Sequence, residues 1–367
     1  MEVLSRAQAL EAAGRRVVHM EIGEPDFTAA PAVVEAGVRA LREGRTAYTA
    51  TLGLPALREA IAAHYARRFG AGVPPERVAV TAGASGGLLL AVALYVDPGD
   101  EVLVPDPGYP GYRHFVRAFE GVARTLAVSP RSGFQPTLDM VAAAWGPRTK
   151  GVLLGSPSNP TGTLIAPEEL RRIAGFVAER GGVLWVDEIY QGLVYGREPR
   201  TAFGLPGEVV IVNSFSKYFC MTGWRLGWVV LPQAALRGFE KLAQHFFVSP
   251  PAAAQHAACA AFLPETLAVL EERRREFGRR RDFLVPALER AGLAIPAFPE
   301  GAFYVYADCN DDAKRYCLGL LEREAVATTP GIDFGANGTR RFVRIAYTRG
   351  MEQLEEAARR IARYRGG

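Results

Sequence analysis

The sequence predicts an α/β protein built on a mostly parallel sheet, followed by a second, smaller α/β domain. Two observations carry this reading. Six short Val-rich runs, at 78–81, 101–104, 151–154, 182–186, 209–213 and 227–230, alternate with helical stretches. Several are apolar without interruption, as strands covered on both faces are. A charged helical stretch at 264–290 then leads into a further series of strands and helices. With 367 residues, 49% of them hydrophobic, the chain can bury a large core and is long enough for two domains.

Taken in order, residues 6–16 have helical character, and 20–27 form a short extended stretch that closes in a turn at Gly23, Glu24, Pro25 and Asp26. Leu57, Ile61 and Tyr65 recur at helical spacing within 54–68, and a second helix is expected to start near Ser85. The six strands follow with helices between them. After the charged helix at 264–290, a strand at 302–307, a helix at 312–324, a strand at 342–346 and a terminal helix at 351–364 make the smaller domain. The expected division is 1–42 as an N-terminal segment completing the small domain, 43–275 as the large domain, and 276–367 as the small C-terminal domain.

A net charge of +4 is mild for this length, and the run 271–281 mixes Arg and Glu as the solvated face of a helix does, which argues against a nucleic-acid surface. Cys220, Cys259, Cys309 and Cys317 show no Cys-x-x-Cys spacing, so a reducing, cytoplasmic setting is expected and no metal site. Glu2 and Arg6 interrupt the first ten residues, unlike a signal peptide, and no later stretch offers eighteen uncharged apolar residues for a membrane span.

In sheets of this kind ligands bind beyond the carboxyl ends of the strands, and each polar cluster of the chain directly follows one of the runs. The segment 213–225 sets Lys217 beside Ser214 and Ser216, with Arg225 eight positions on. An amine for an aldehyde, with hydroxyls and a cation for a phosphate, makes Lys217 the candidate for a Schiff base with pyridoxal 5'-phosphate. Such a cofactor also needs a carboxylate for its ring nitrogen, donors for its phenolic oxygen, a phosphate cup and an apolar face. Asp187 ends an apolar run and suits the ring nitrogen, with a helix cap or turn acid as the simpler role. Tyr190 and Asn159 are candidate donors to the phenolic oxygen, against a packing tyrosine and an ordinary turn; Pro160 is compatible with a cis bond. Ala84 and Ser85, after a strand and at a helix start, are placed to grip a dianion, as are Ser214, Ser216 and Arg225. Tyr109 can stack on the ring or simply pack. Arg344 interrupts the apolar run 342–346; it either points to solvent or awaits an anionic partner such as a substrate carboxylate.

With these motifs in this order, from about residue 17 to 362, the chain resembles the class I/II aminotransferase family within the aspartate aminotransferase superfamily, the fold-type I pyridoxal phosphate enzymes. The resemblance implies a large domain with a seven-stranded, mostly parallel sheet flanked by helices, plus a smaller α/β domain. It makes Lys217 the Schiff-base lysine, Asp187 the partner of the pyridine nitrogen, Asn159 and Tyr190 the phenolic-oxygen donors and Tyr109 the stacking ring. It makes Ala84, Ser85, Ser214, Ser216 and Arg225 phosphate contacts, and gives Arg344 the substrate carboxylate, helped by Asn159 and the Gly23 backbone. It further implies a homodimer with shared sites, in which Tyr48 reaches the phosphate held by the other subunit. Many relatives carry an additional N-terminal segment ahead of the first helix, which here begins almost at Met1.

The activity so implied is a ping-pong transfer of an amino group between an L-amino acid and a 2-oxo acid, with Lys217 moving the α proton. No arginine is assigned to a second, side-chain carboxylate. Phe27, Tyr112 and Phe247 are expected as pocket walls, favouring a neutral aliphatic or aromatic side chain. The alternative on the same fold is a carbon–sulfur β-lyase. A ligand-sensing regulator would need a helix-turn-helix region that the sequence does not display.

Overall fold

The computed structural model describes residues 2–366. In chain order its strands are β1 (Val18–His19), β2 (Val78–Thr81), β3 (Glu101–Asp106), β4 (Val122–Ala127), β5 (Thr149–Gly155), β6 (Val183–Asp187), β7 (Glu208–Ser214), β8 (Gly227–Val230), β9 (Tyr304–Asp308), β10 (Val326–Ala327), β11 (Thr329–Pro330) and β12 (Phe342–Ala346). Seven of them form the central sheet in the order β2-β8-β7-β6-β5-β3-β4. All neighbours run parallel except β8, which is antiparallel to both β2 and β7.

The six Val-rich runs are β2, β3, β5, β6, β7 and β8, with small shifts at their ends. Their uninterrupted apolar character has the expected cause. Along β6, Val183 and Trp185 join one buried cluster while Leu184 and Val186 join another, so both faces of the sheet are covered. The seventh strand, β4, gives little sequence signal because it is an edge strand that buries only Leu126.

Prolines open many of the helices. Pro31, Pro55, Pro167 and Pro264 each start one, at a position where the missing N–H costs no hydrogen bond. The helix Pro55–Phe69 ends at Gly70 with φ +63°, a left-handed cap that glycine adopts without a Cβ penalty. Residues 20–27 form no strand; the ladder stops at β1, and Pro25 has no N–H to extend it.

The remaining strands make two small sheets, β11-β12-β9 antiparallel and β1-β10 parallel. The helix Pro264–Arg290 has its predicted ends. Its Arg/Glu run is not simply a solvated face, however, because Arg280 and Arg281 are buried. Arg280 pairs with Asp26 at 2.8 Å and Glu276 at 3.1 Å, and Arg281 donates to the Pro299 carbonyl at 3.2 Å. Pairing offsets the desolvation of each guanidinium and ties the helix to the Gly23–Asp26 turn. Among the described residues no helix is long and apolar enough to cross a membrane.

Candidate active site

Five of the sheet's strands end at one cavity. Asp187 is the last residue of β6 and Ser214 the last of β7; β2 leads to Ala84 and Ser85, β3 to Tyr109 and β5 to Asn159. The cavity, about 550 Å³, brings together Gly23, Ala84, Ser85, Tyr109, Asn159, Asp187, Tyr190, Ser214, Ser216, Lys217, Arg225 and Arg344. Tyr48 is 83% exposed and lines no part of it.

The acid is buried and the amine half-buried. Asp187 is 3% exposed and accepts from the Tyr112 hydroxyl at 2.8 Å and from the Ile189 N–H at 3.1 Å. Burial raises its pKa to about 6, against the lowering pull of those two bonds and of Lys217. Lys217 donates from Nζ to the Gly23 carbonyl at 2.7 Å. Burial foremost, then Arg344 and Arg225, lowers its pKa to about 8, while Glu24 and Asp187 oppose the shift. A lysine so placed holds its proton loosely and can act as a base near neutral pH.

Arg344, 8% exposed, sits on β12 opposite Thr329 and Tyr306. It donates to Asn159 Oδ1 at 3.0 Å and to the Glu21 carbonyl at 2.5 Å, and its guanidinium lies 4.4 Å from the centre of the Tyr304 ring. Its Nε is buried without a partner. The Tyr304 and Tyr190 hydroxyls share a hydrogen bond of 2.8 Å. Gly23 packs so closely on Tyr304 that a Cβ there would stand 2.0 Å from the hydroxyl oxygen.

A third corner gathers positive charge and N–H donors. The helix Gly83–Ala93 points its first turn, with Ala84 and Ser85, into the cavity, and its dipole favours an anion there. Arg225 closes the corner: a Cβ on Gly83, whose φ is +72°, would lie 2.7 Å from its Nη2. Ser214 Oγ accepts from the Ser216 N–H at 3.0 Å.

Two of the three expected wall residues need correction. Tyr112 does line the cavity, but its hydroxyl is committed to Asp187. Phe27 instead packs edge-on against Phe277 at 5.5 Å, with Arg273 and Arg280 over its ring, and Phe247 lies over Gly86 in the core beside the helix Gly83–Ala93. The apolar lining comes instead from Ile22, Leu88, Ile189 and Tyr304.

The match to known proteins covers nearly all of the chain. Residues 15–361 fit the family model described as aminotransferase class I and II. The chain belongs to that family. Among relatives of this aminotransferase is the valine–pyruvate aminotransferase of Mycobacterium tuberculosis, 41% identical over 350 residues, covering 94% of this chain and 90% of the relative. The (5-formylfuran-3-yl)methyl phosphate transaminase of Methanocaldococcus jannaschii is 35% identical, with 99% and 95% covered. Among solved structures, an aminotransferase from Mycobacterium tuberculosis superposes with a TM-score of 0.94 at 40% identity, covering 99% of this chain and 95% of the other. The Thermus thermophilus aspartate aminotransferase with maleate gives 0.93 at 36%, with 99% and 95% covered. The aminotransferase thus has the fold-type I architecture of its neighbours.

Two contacts of the aminotransferase site lie outside the sequence reading, Tyr112 as the partner of Asp187 and Tyr304 as the partner of Tyr190. Each sits in an aromatic-rich stretch, 109–112 or 303–306, where side-chain type alone does not separate a core tyrosine from one that reaches a site.

Proposed function

We propose that this aminotransferase is pyridoxal 5'-phosphate-dependent and moves an amino group, in ping-pong fashion, between a 2-oxo acid and an L-amino acid with a neutral aliphatic or aromatic side chain. The observation that carries the reading is one cavity holding a half-buried amine of lowered pKa, Lys217, a buried acid, Asp187, and an anion corner at Ser85 and Arg225. This donor set fits the cofactor, and the guanidinium of Arg344, on the cavity lining, fits a substrate carboxylate. When bound, pyridoxal phosphate supplies an aldehyde that takes the amino group and a pyridinium ring that accepts electrons from the substrate α carbon.

Each residue then has a task that its contacts favour. Lys217 would carry the aldehyde and move the proton at the α carbon. Asp187 would hold a proton on the ring nitrogen, steadied by Tyr112. Asn159 gives its Oδ1 to Arg344, which leaves its amide N–H groups for the phenolic oxygen. Tyr304 can donate to Tyr190, which leaves the Tyr190 proton for the same oxygen. Tyr109 would cover the ring face, and Ala84, Ser85, Ser214, Ser216 and Arg225 would hold the phosphate. Gly23 would meet the substrate through its backbone.

Support for a neutral side chain is that Arg344 and Arg225 are the arginines lining the cavity and both have other tasks, while Glu24 at the mouth disfavours a distal carboxylate. The relative named for valine and pyruvate points the same way. A homodimer is supported by the exposure of Tyr48, Leu41, Phe246 and Val248, with Tyr48 reaching the partner's phosphate. We assign residues 1–42 and 276–367 to the small domain and 43–275 to the large one, and place the protein in the cytoplasm, where its free cysteines stay reduced.

The test follows the visible spectrum of the cofactor-loaded protein as single amino acids are added, with 2-oxo acid quantified. A bleached cofactor band with about one oxo acid per site supports half-transamination. Continuous release of pyruvate and ammonia without an acceptor overturns it.

A further inference from the structure

We propose that Asp106 is a positioning residue for the substrate-carboxylate site: its buried side chain fixes the loop 334–337, and with it the Phe334 ring that packs on Arg344. The inference rests on the reading of Arg344 as the residue that meets the substrate carboxylate.

Asp106 is the last residue of β3 and is 6% exposed. A carboxylate at that depth needs donors. Among the described residues its side chain finds them in the backbone of one loop, where Oδ1 accepts from the Ala336 N–H at 2.9 Å and from the Asn337 N–H at 3.1 Å. Two successive N–H groups that converge in this way make a concave seat for an anion. The attachment is reciprocal: the Asn337 side-chain amide donates to the Asp106 carbonyl at 3.3 Å and to the Val128 carbonyl at 3.0 Å, and the Gly108 N–H donates to the Phe334 carbonyl at 3.0 Å. The fit is tight enough to demand glycine in the loop, since a Cβ on Gly335 would stand 1.8 Å from Asp106 Oδ1.

The loop so held carries Phe334, which is buried next to Gly335. The centre of its ring lies 4.8 Å from the Arg344 guanidinium, which also packs on Tyr304 at 4.4 Å. Ring faces attract the cation and restrict its rotamers, so Arg344 has less freedom left to lose when a carboxylate arrives. Arg344 itself stands on β12, whereas the contact that fixes the Phe334 loop comes from β3. As a plain loop cap, Asp106 would contribute to stability and leave ligand affinity untouched. As a positioning residue it changes affinity, and does so through Phe334.

The test is a calorimetric titration of the cofactor-loaded protein with 4-methylpentanoate, a carboxylate that has no amino group and so binds without turnover. D106A should raise the dissociation constant by roughly three- to tenfold, the range of one cation–π contact or one freed side chain. D106N, whose amide oxygen still accepts from both N–H groups, should stay within about twofold of wild type. F334A should weaken binding to the same extent as D106A, and the double variant no further. Should D106A fold poorly, G335A strains the same contact from the loop side and should weaken binding in the same range. A D106A or G335A protein that melts earlier yet binds as tightly as wild type overturns the proposal, as does a full additional loss when D106A is added to F334A. Failure of the underlying reading looks different: R344Q would then bind as tightly as wild type.

Discussion

The Tyr112 hydroxyl donates to Asp187 Oδ2 across 2.8 Å, with both side chains buried. Tyr112 is the first of the groups that pull the Asp187 pKa down against burial. Removing it in Tyr112→Phe leaves the carboxylate with less compensation and a still higher pKa. We expect kcat to fall by roughly tenfold, the loss of one charge-assisted hydrogen bond, and the acid limb of the pH–rate profile to move to higher pH. An unmoved limb would mean that Tyr112 only fills space.

The burial of Lys217 has a pH signature in the cofactor-free protein. Its folded pKa of about 8 lies below the ordinary 10.5. Between those values the unfolded chain binds the proton and the folded one does not, so stability rises with pH across that window. For Asp187, raised from 3.8 to about 6, the folded chain holds the extra proton, and stability falls as pH rises from about 4 to 6. Thermal melts of Lys217→Met should lose the rise between about pH 8 and 10.5 and keep the fall between about pH 4 and 6. The same variant should lose at least about a hundredfold in turnover, as removal of a general base does.

Arg344→Gln tests the carboxylate site. The guanidinium is held on the cavity lining by Asn159 and the Glu21 carbonyl, so the loss should appear mainly as a KM for amino acids higher by about ten- to a hundredfold. Arg344→Lys should recover little of it, because Asn159 and the Glu21 carbonyl are met by two different nitrogens of a planar fork, and one ammonium nitrogen has neither that spread nor a bidentate face for a carboxylate. A KM within twofold of wild type, by about the limit of kinetic error, would remove Arg344 from substrate binding.

Gly23→Ala drives a methyl group into the Tyr304 hydroxyl, at 2.0 Å. Tyr304 must shift, its bond to Tyr190 breaks, and the Gly23 carbonyl that accepts from Lys217 moves with the turn. We expect a loss of about 1–3 kcal/mol in stability, typical of overpacking, with part of it returned when Tyr304→Phe removes the clashing oxygen. A double-mutant cycle on denaturant melts measures this coupling; strict additivity would show that the turn relaxes elsewhere.

Much of this architecture is legible from patterning. The strands β2, β3, β5, β6, β7 and β8 announce themselves because burial on both faces demands unbroken apolar runs, and their ends place Asp187, Ser214 and Asn159 together. What patterning misses is partnership across the fold. Arg280 reads as a surface charge until Asp26, far away in sequence, is seen to neutralise it. Phe27 and Phe247 read as walls because aromatic side chains near a motif suit a pocket, but their rings are claimed by Phe277 and by the core over Gly86. The bonds of Tyr112 to Asp187 and of Tyr304 to Tyr190 stay hidden for the converse reason: a hydroxyl's partner is a three-dimensional fact.

The pairing of β1 with β10 joins Val18 to Val326, and the Glu21 carbonyl meets Arg344 still later in the chain. The segment bearing Gly23 therefore leaves the ribosome long before the strands that hold it. Until β10 and β12 have emerged, that segment has nothing to fix the Gly23 carbonyl opposite Lys217, and one side of the cavity stands open. Contacts this distant in sequence close slowly, so the large sheet can form on the nascent enzyme well before the site is complete.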